Sequence, residues 1–285
     1  MYLKKIMMHI TRGFMIHFLP TILKAAISAG NAALEIYNQD FEVVEKSDQS
    51  PLTRADTQSH TIISKALQTT DIPVLSEEGK EIPFAERKDW QYLWIVDPLD
   101  GTKEFVKKNG EFTINIALVE NQVPIMGVIY VPVLSRLYYG VYERGAYRAN
   151  LVDPEHIDSQ STDKLIETAT RISINADTSG VYTIVGSRSH LTPEVEAFVE
   201  DKKRDYDHVE FISAGSSLKF CQVAEGNADI YPRFGPTMEW DTAAGQVIAQ
   251  AAGARVFRHD TGEALLYNKE NLKNPWFVVS NGREK

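Results

Sequence analysis

The chain has 285 residues, 43% of them apolar and 24% charged, with 17 Gly, 12 Pro and a single Cys. That composition excludes disorder, collagen and coiled coil, and the length suits one large domain or two packed halves. The formal charge of −9, from 30 Lys+Arg against 39 Asp+Glu, opposes a phosphate backbone at long range, and no local basic patch offsets it, so a nucleic-acid polymer is not an expected partner.

The first 19 residues carry Lys4, Lys5 and Arg12 with no acid. Arg12 and two histidines interrupt the apolar run and no small-residue cleavage site follows, so secretion is not expected. No stretch reaches the roughly 18 apolar residues of a bilayer span. Residues 1–17 therefore read as an N-terminal extension with two open interpretations. One is weak peripheral contact with the cytoplasmic side of the inner membrane. The other is a disordered or upstream start, with Met8 or Met15 as the working first residue.

Residues 20–38 place Ile22, Ala25, Ala26, Ala29, Ala33 and Ile36 at helical spacing, with Pro20 in the first turn. A second helix is predicted over about 53–69, opened by Thr53. After Pro73 the pattern turns to short strands, at Tyr92 to Val96, Phe112 to Val119, Pro124 to Val131, Arg136 to Val141 and Gly145 to Arg148, separated by turn residues. This half, 18–150, reads as helices packed on an antiparallel sheet. The polar stretch 150–164, with Asp153-Pro154, is the predicted boundary.

Residues 151–285 alternate strand and helix: strands at 183–186, 208–212, 228–232, 254–257 and 276–280, helices at 193–201, 216–225 and 241–252. Such alternation sandwiches a sheet between helices and puts sites at strand ends. The expected whole is α/β (α+β), a layered αβαβα sandwich. Cys221, alone in an apolar-spaced helix, excludes an intrachain disulfide and a Cys-based zinc site; it reads as a buried thiol in a reducing, cytoplasmic setting.

The most informative segment is Trp94-Ile95-Val96-Asp97-Pro98-Leu99-Asp100-Gly101-Thr102. An apolar strand delivers two carboxylates, three residues apart, into a turn forced by Pro98 and Gly101. Two such anions need cations or hydrogen bonds to compensate them. The spacing leaves two readings open, a metal site and a turn whose Asp side chains cap backbone amides. Glu77-Glu78 follows another short strand, and Asp241 stands near the start of an Ala-rich helix, where it also reads as an N-cap.

Three segments, 75–78, 97–102 and 240–245, together resemble the magnesium-dependent, lithium-sensitive phosphatases of the inositol monophosphatase superfamily. The longer strings DPLDGTKEF, NGEFTINIAL, GSSLKFC and YPRFGPTMEWDTAAG resemble its 3'(2'),5'-bisphosphate nucleotidases of the CysQ type, over residue 18 to the C-terminus. That resemblance implies metal coordination by Glu77, Asp97, Asp100, Asp241 and the Leu99 carbonyl. It implies Asp56, Thr102 and Glu77 as catalytic, with Asp56 in a matching SPLTRAD string, and Gly101 and Thr102 amides facing the phosphate. An all-oxygen, carboxylate-rich set suits Mg²⁺, two or three ions, with Mn²⁺ as a substitute.

The expected substrate is a small phosphorylated nucleotide, adenosine 3',5'-bisphosphate, hydrolysed to AMP and phosphate, with 3'-phosphoadenylyl sulfate as a second substrate. Ser216, Lys219 and Arg233 are the candidates for its other phosphate, since Arg forks two oxygens and Lys supplies a point charge. Ser187 to His190 is a candidate border for the adenine. Two alternatives stay open: an inositol or other sugar phosphatase, and a catalytically silent phosphonucleotide binder.

Overall fold

The computed structural model describes residues 15–40, 43–45, 51–151, 159–174, 180–187 and 192–283. Most of the N-terminal extension, the Asp153-Pro154 part of the predicted boundary and Arg188 to His190 of the predicted adenine border lie outside the described residues.

Helix α1 (Leu19–Tyr37) begins with Pro20 in its first turn. A two-stranded antiparallel ribbon follows, β1 (Val43–Glu45) with β2 (Pro51–Thr53). Helix α2 (Arg54–Leu67) then opens on a reciprocal cap: the Thr53 hydroxyl accepts from the Ala55 amide, and the Asp56 carboxylate accepts from the Thr53 amide. Thus the same Thr that ends the ribbon starts the helix.

Seven strands make the larger sheet in chain order: β3 (Val74–Ser76), β4 (Tyr92–Asp100), β5 (Thr113–Glu120), β6 (Val123–Val131), β7 (Arg136–Val141), β8 (Gly145–Asn150) and β9 (Thr170–Ile172). All neighbours are antiparallel except β3 and β4, which run parallel. Short helices α3 (Phe84–Arg87) and α4 (Thr102–Val106) flank β4, and α5 (Ser159–Thr168) leads into β9. The sheet therefore continues past residue 150, with Thr170–Ile172 folding back against β8.

The second half contributes β10 (Val181–Gly186), α6 (Pro193–Asp205), β11 (His208–Ser213), α7 (Leu218–Ala224), β12 (Ile230–Arg233), α8 (Ala243–Ala251), β13 (Arg255–Arg258) and β14 (Phe277–Ser280). Its five-stranded sheet has the order β11-β10-β12-β14-β13, parallel at β11-β10-β12 and antiparallel where β14 joins.

Side-chain alternation along the strands sets the layers. Trp94 and Val96 of β4, with Ile114, Ile116 and Val128, face α1 and α2 through Ile22, Ala26 and Ile63. Leu93 and Ile95, with Ala117 and Ile129, face the other way onto Phe220, Val223, Ala244 and Ile248 of α7 and α8, which in turn meet Val185, Tyr231 and Val279 of the second sheet. Beyond that sheet Tyr182, Ile184 and Ile230 pack on Val195 and Phe198 of α6. The observed order is helix, sheet, helix, sheet, helix, as the sequence predicts. Since the large sheet is covered on both faces, all eight residues of β5 are buried, which is why its strands read as nearly unbroken apolar runs. No helix among the described residues is long and apolar enough to cross a membrane.

Helix α8 lies unusually close to the large sheet. Gly127 and Gly140 face each other across β6 and β7, and a Cβ on Gly140 would stand 2.7 Å from the Ile248 Cα and 3.1 Å from its amide nitrogen. Backbone atoms cannot yield as a flexible side chain does. Gly140→Ala is accordingly expected to destabilise by about 1–3 kcal/mol through overpacking, lowering the midpoint of thermal unfolding by several degrees in a calorimetric or fluorescence melt.

Candidate active site

Parallel pairing of β3 with β4 places Ser76 opposite Val96, and the Glu77 amide donates to the Val96 carbonyl at 3.1 Å. The next residue on each chain is a carboxylate, so Glu77 and Asp97 emerge side by side from two unrelated stretches of sequence. Asp97 is 1% exposed, and its Oδ1 accepts from the Leu99 amide at 3.1 Å.

The register then slips. Asp97 opposes Asn115 but Asp100 opposes Thr113, so β4 carries one more residue than β5 between them, a bulge that turns the chain. The Leu99 side chain drops into a small cluster with Ala33, Ile36 and Phe105, leaving its main chain at the cleft. Gly101 follows with φ +88°, where a Cβ would stand 2.0 Å from the Ser216 Oγ. Only glycine satisfies both the left-handed backbone and that approach.

Asp100 is held from the second half of the chain. Its Oδ2 receives the Ser217 hydroxyl at 2.7 Å and lies 3.4 Å from the side-chain Nδ2 of Asn115 on β5. Ser217 also stands 2.8 Å from the Asp241 carbonyl, so one buried hydroxyl ties Asp100 to the turn bearing Asp241. That turn differs from the sequence expectation: α8 begins at Ala243 with Thr242 before it. Asp241 does not cap the helix. Instead its Oδ2 accepts from the Met238 amide at 2.9 Å, closing a tight turn of its own.

Glu77, Asp97, Leu99, Asp100, Gly101, Thr102 and Asp241 line one cleft of about 420 Å³. Burial pushes the Asp97 carboxyl well above the ordinary range, and the charges of Glu77, Asp100 and Asp241 push it further. The Asp241 carboxyl is raised as well, again first by burial and then by Asp100. Among the described residues no three His, Cys, Asp or Glu side chains already stand in a closed metal-binding group. The donor chemistry nonetheless fits a hard cation: oxygen donors, chiefly carboxylates crowded enough to repel one another, with neither imidazole nor thiol in the cleft wall.

Asp56 and Thr102 come together at the edge of this cleft. The Asp56 Oδ2 serves the helix cap, accepting from both the amide and the hydroxyl of Thr53, and its Oδ1 accepts from the Thr102 hydroxyl at 3.1 Å. The carboxyl is 1% exposed; burial raises its pKa, opposed by the Thr53 hydrogen bonds.

A second, smaller pocket of about 130 Å³ adjoins the first, sharing Asp100, Gly101, Glu104, Thr237 and Asp241. Its far wall holds Lys219 and Arg233. Lys219 is 5% exposed, donates to the Ser216 carbonyl at 2.6 Å and sits over the Tyr231 ring. Burial lowers its pKa to about 8. Arg233 donates through Nη2 to the Pro236 carbonyl, while its Nε is buried with no hydrogen-bond partner among the described residues. The Ser216 hydroxyl points elsewhere, toward the carbonyls of Glu111 at 2.6 Å and Asp100 at 3.0 Å, so Ser216 shapes this pocket while its proton is already committed.

Sequence reasoning missed Ser217, Asn115 and Lys273. Ser217 sits beside a residue that was singled out, in the same GSSLKFC string. Lys273 reaches the acidic cleft from a polar loop without any motif, brought there by its bridge to Met238.

Residues 17–283 match the sequence profile of the inositol monophosphatase family. The 3'(2'),5'-bisphosphate nucleotidase CysQ of Salmonella typhimurium is 43% identical over 268 residues, covering 92% of this chain and 99% of that protein; its Escherichia coli K12 counterpart is 43% identical over 271 residues, covering 92% of this chain and 99% of that protein. The crystal structure of CysQ from Bacteroides thetaiotaomicron superposes with a TM-score of 0.85 at 52% identity, covering 93% of this chain and 97% of that one. An inositol monophosphatase of Thermotoga maritima shares the fold, with a TM-score of 0.70 at 22% identity over 93% of this chain and 92% of that one. On the family match and these relatives together, the chain belongs to the inositol monophosphatase family.

Proposed function

We propose that this protein is a divalent-metal-dependent phosphatase that removes the 3'-phosphate of adenosine 3',5'-bisphosphate, giving AMP and phosphate. The observation that carries the reading is the pair of adjoining pockets that share Asp100, Glu104 and Asp241, the second of which adds Lys219 and Arg233, a pairing that suits a ligand with two phosphates. The similarity to the Salmonella 3'(2'),5'-bisphosphate nucleotidase supports it. A sulfate joined to the 5'-phosphate leaves the 3'-phosphate, the reacting group, unchanged, so 3'-phosphoadenylyl sulfate belongs to the same substrate class. The single, buried Cys221 supports a cytoplasmic setting.

Glu77, Asp97, Asp100, Asp241 and the Leu99 carbonyl would hold Mg²⁺, which supplies Lewis-acid polarisation of the phosphate and neutralises its charge. The remaining chemistry belongs to the side chains. With Asp56 ionised, the Thr102 proton lies toward Asp56 Oδ1, which turns the Thr102 lone pairs toward the cleft. A water that donates to Thr102 Oγ1 is thereby aimed at phosphorus, in line with the departing ribose oxygen. Glu77, at the end of β3, takes a proton of that water as the new P–O bond forms and the bond to the ribose 3'-oxygen breaks, the departing oxygen taking its proton from solvent. Lys219 and Arg233 grip the other phosphate, and the unengaged Arg233 Nε supplies a donor for it.

The direct test is a phosphate-release panel with adenosine 3',5'-bisphosphate, its 2',5' isomer, inositol 1-phosphate and fructose 1,6-bisphosphate. The first should have the highest kcat/KM, require Mg²⁺ or Mn²⁺ and be inhibited by Li⁺. Equal or faster turnover of inositol 1-phosphate would overturn the substrate assignment.

Three sets of variants separate the roles. Asp56→Asn and Thr102→Val should each lower kcat by about 10²–10⁴-fold with little change in KM. Arg233→Met and Lys219→Met should reduce kcat/KM for the bisphosphate by about 10–100-fold, the worth of a charge-assisted hydrogen bond, yet leave 3'-AMP nearly unaffected; parallel losses on both substrates would refute a second-phosphate site. Asp97→Asn should abolish metal-dependent turnover while its unfolding midpoint in EDTA equals or exceeds that of the parent, because one of several crowded like charges is gone. A large drop in that midpoint would mean Asp97 is structural.

A further inference from the structure

Glu239 is fully buried, two residues from Asp241, yet it faces away from the cleft. Its Oε2 accepts from the Asn268 amide at 2.6 Å, and its Oε1 accepts from the Lys269 amide at 3.0 Å and the Lys269 ammonium at 2.5 Å. Asn268 has φ 59°, a left-handed kink that aims two successive N–H groups at one carboxylate. The other side of the same kink is gripped by Arg87, 2% exposed, which donates to the Asn268 Oδ1 at 2.9 Å and to the carbonyls of Lys269 at 2.7 Å and Glu270 at 3.2 Å. A buried anion and a buried cation thus hold one short loop from opposite directions.

The loop in turn holds the Asp241 turn. The Glu239 amide donates to the Leu272 carbonyl at 3.0 Å, and the Asn274 amide to the Thr237 carbonyl at 2.8 Å. The Asn274 side chain donates to the Met238 carbonyl at 2.7 Å and to the Thr242 hydroxyl at 3.0 Å. Every residue from Thr237 to Thr242 except Trp240 and Asp241 is bonded to this loop. Burying two charges costs several kcal/mol unless geometry and hydrogen bonds compensate, and the cleft makes no direct use of either.

We infer that Glu239, clamped by Lys269 and braced by Arg87, is a positioning residue that fixes the direction of the Asp241 carboxylate toward the bound cation. The inference rests on the metal site assigned under the proposed function. It predicts an effect opposite in sign to simple electrostatics. Removing the Lys269 charge leaves more net negative charge near the cleft, which by Coulomb attraction alone would tighten divalent-cation binding; loss of positioning would weaken it.

The experiment is an electron paramagnetic resonance titration of Mn²⁺ into nucleotide-free full-length protein, wild type against Lys269→Met, Lys269→Arg and Glu239→Gln, with unfolding midpoints measured in EDTA. Lys269→Met should raise the Mn²⁺ dissociation constant by about 10-fold or more, the usual scale for outer-shell partners of metal ligands, and the Mg²⁺ concentration for half-maximal phosphate release should rise in step. Lys269→Arg should restore most of the loss, and Glu239→Gln should weaken Mn²⁺ binding in a protein that still melts cooperatively. Unchanged or tighter Mn²⁺ binding by folded Lys269→Met would overturn the inference while the metal reading stands. Absence of Mn²⁺ binding by the wild type would overturn the metal reading, and the inference with it.

Discussion

The structure is organised around the repulsion between carboxylates at the end of β4. Asp97 is buried among Glu77, Asp100 and Asp241, and its raised pKa records both the loss of water and the proximity of like charges. Such an arrangement opposes folding and persists only because the surrounding elements over-determine it: β5 and the α7 start hold Asp100 through Asn115 and Ser217, a tight turn holds Asp241, and a parallel strand pair fixes Glu77 beside Asp97. The two sheets, and the helices between them, are the means by which distant acids are kept closer than they would choose to be. A divalent cation bound there, as proposed, would reverse the sign of that interaction, so the crowding that opposes folding of the metal-free protein would favour the metal-loaded one.

The two cations of the adjoining pocket follow the opposite logic. Lys219 is stripped of water, which lowers its pKa to about 8, and Arg233 retains a buried donor without a partner. An anion entering there, as proposed, would restore what burial removed. Because the two pockets share the wall formed by Asp100, Gly101 and Asp241, a ligand engaging both must span one short wall with negative groups on each side of it, a stricter demand than a single phosphate ester makes.

Much of this was legible in the chain. The apolar run ending at Asp97, the Pro98 and Gly101 turn residues and the Thr53 cap are local features, each set by neighbours within a few residues, and period-2 and helical patterns located the longer elements but not the β1-β2 ribbon, α3, α5 or β9. What local patterns do not carry is pairing. Nothing near Glu77 announces that its strand runs parallel to β4, yet that choice alone sets it beside Asp97. The capping expectation for Asp241 failed because a carboxylate just ahead of a helix can close a turn backwards onto Met238 as readily as it can cap forwards. The clamp on Glu239 was invisible for the same reason: Arg87 and Asn268 lie 181 residues apart, and neither belongs to any motif.

The close seating of α8 on β6 and β7 has a wider meaning. At Gly140 the sheet meets the main chain of Val247 and Ile248 with no side chain between, and at Gly127 it meets the Ala244 main chain beside the Val247 side chain. The sheet bears Asp97 and Asp100; the helix carries Asp241 at its threshold. Their separation is therefore gauged by peptide against peptide, a spacing that ordinary drift in core residues cannot widen or narrow, so the mouth of the cleft keeps its calibre while the interior behind it is free to vary.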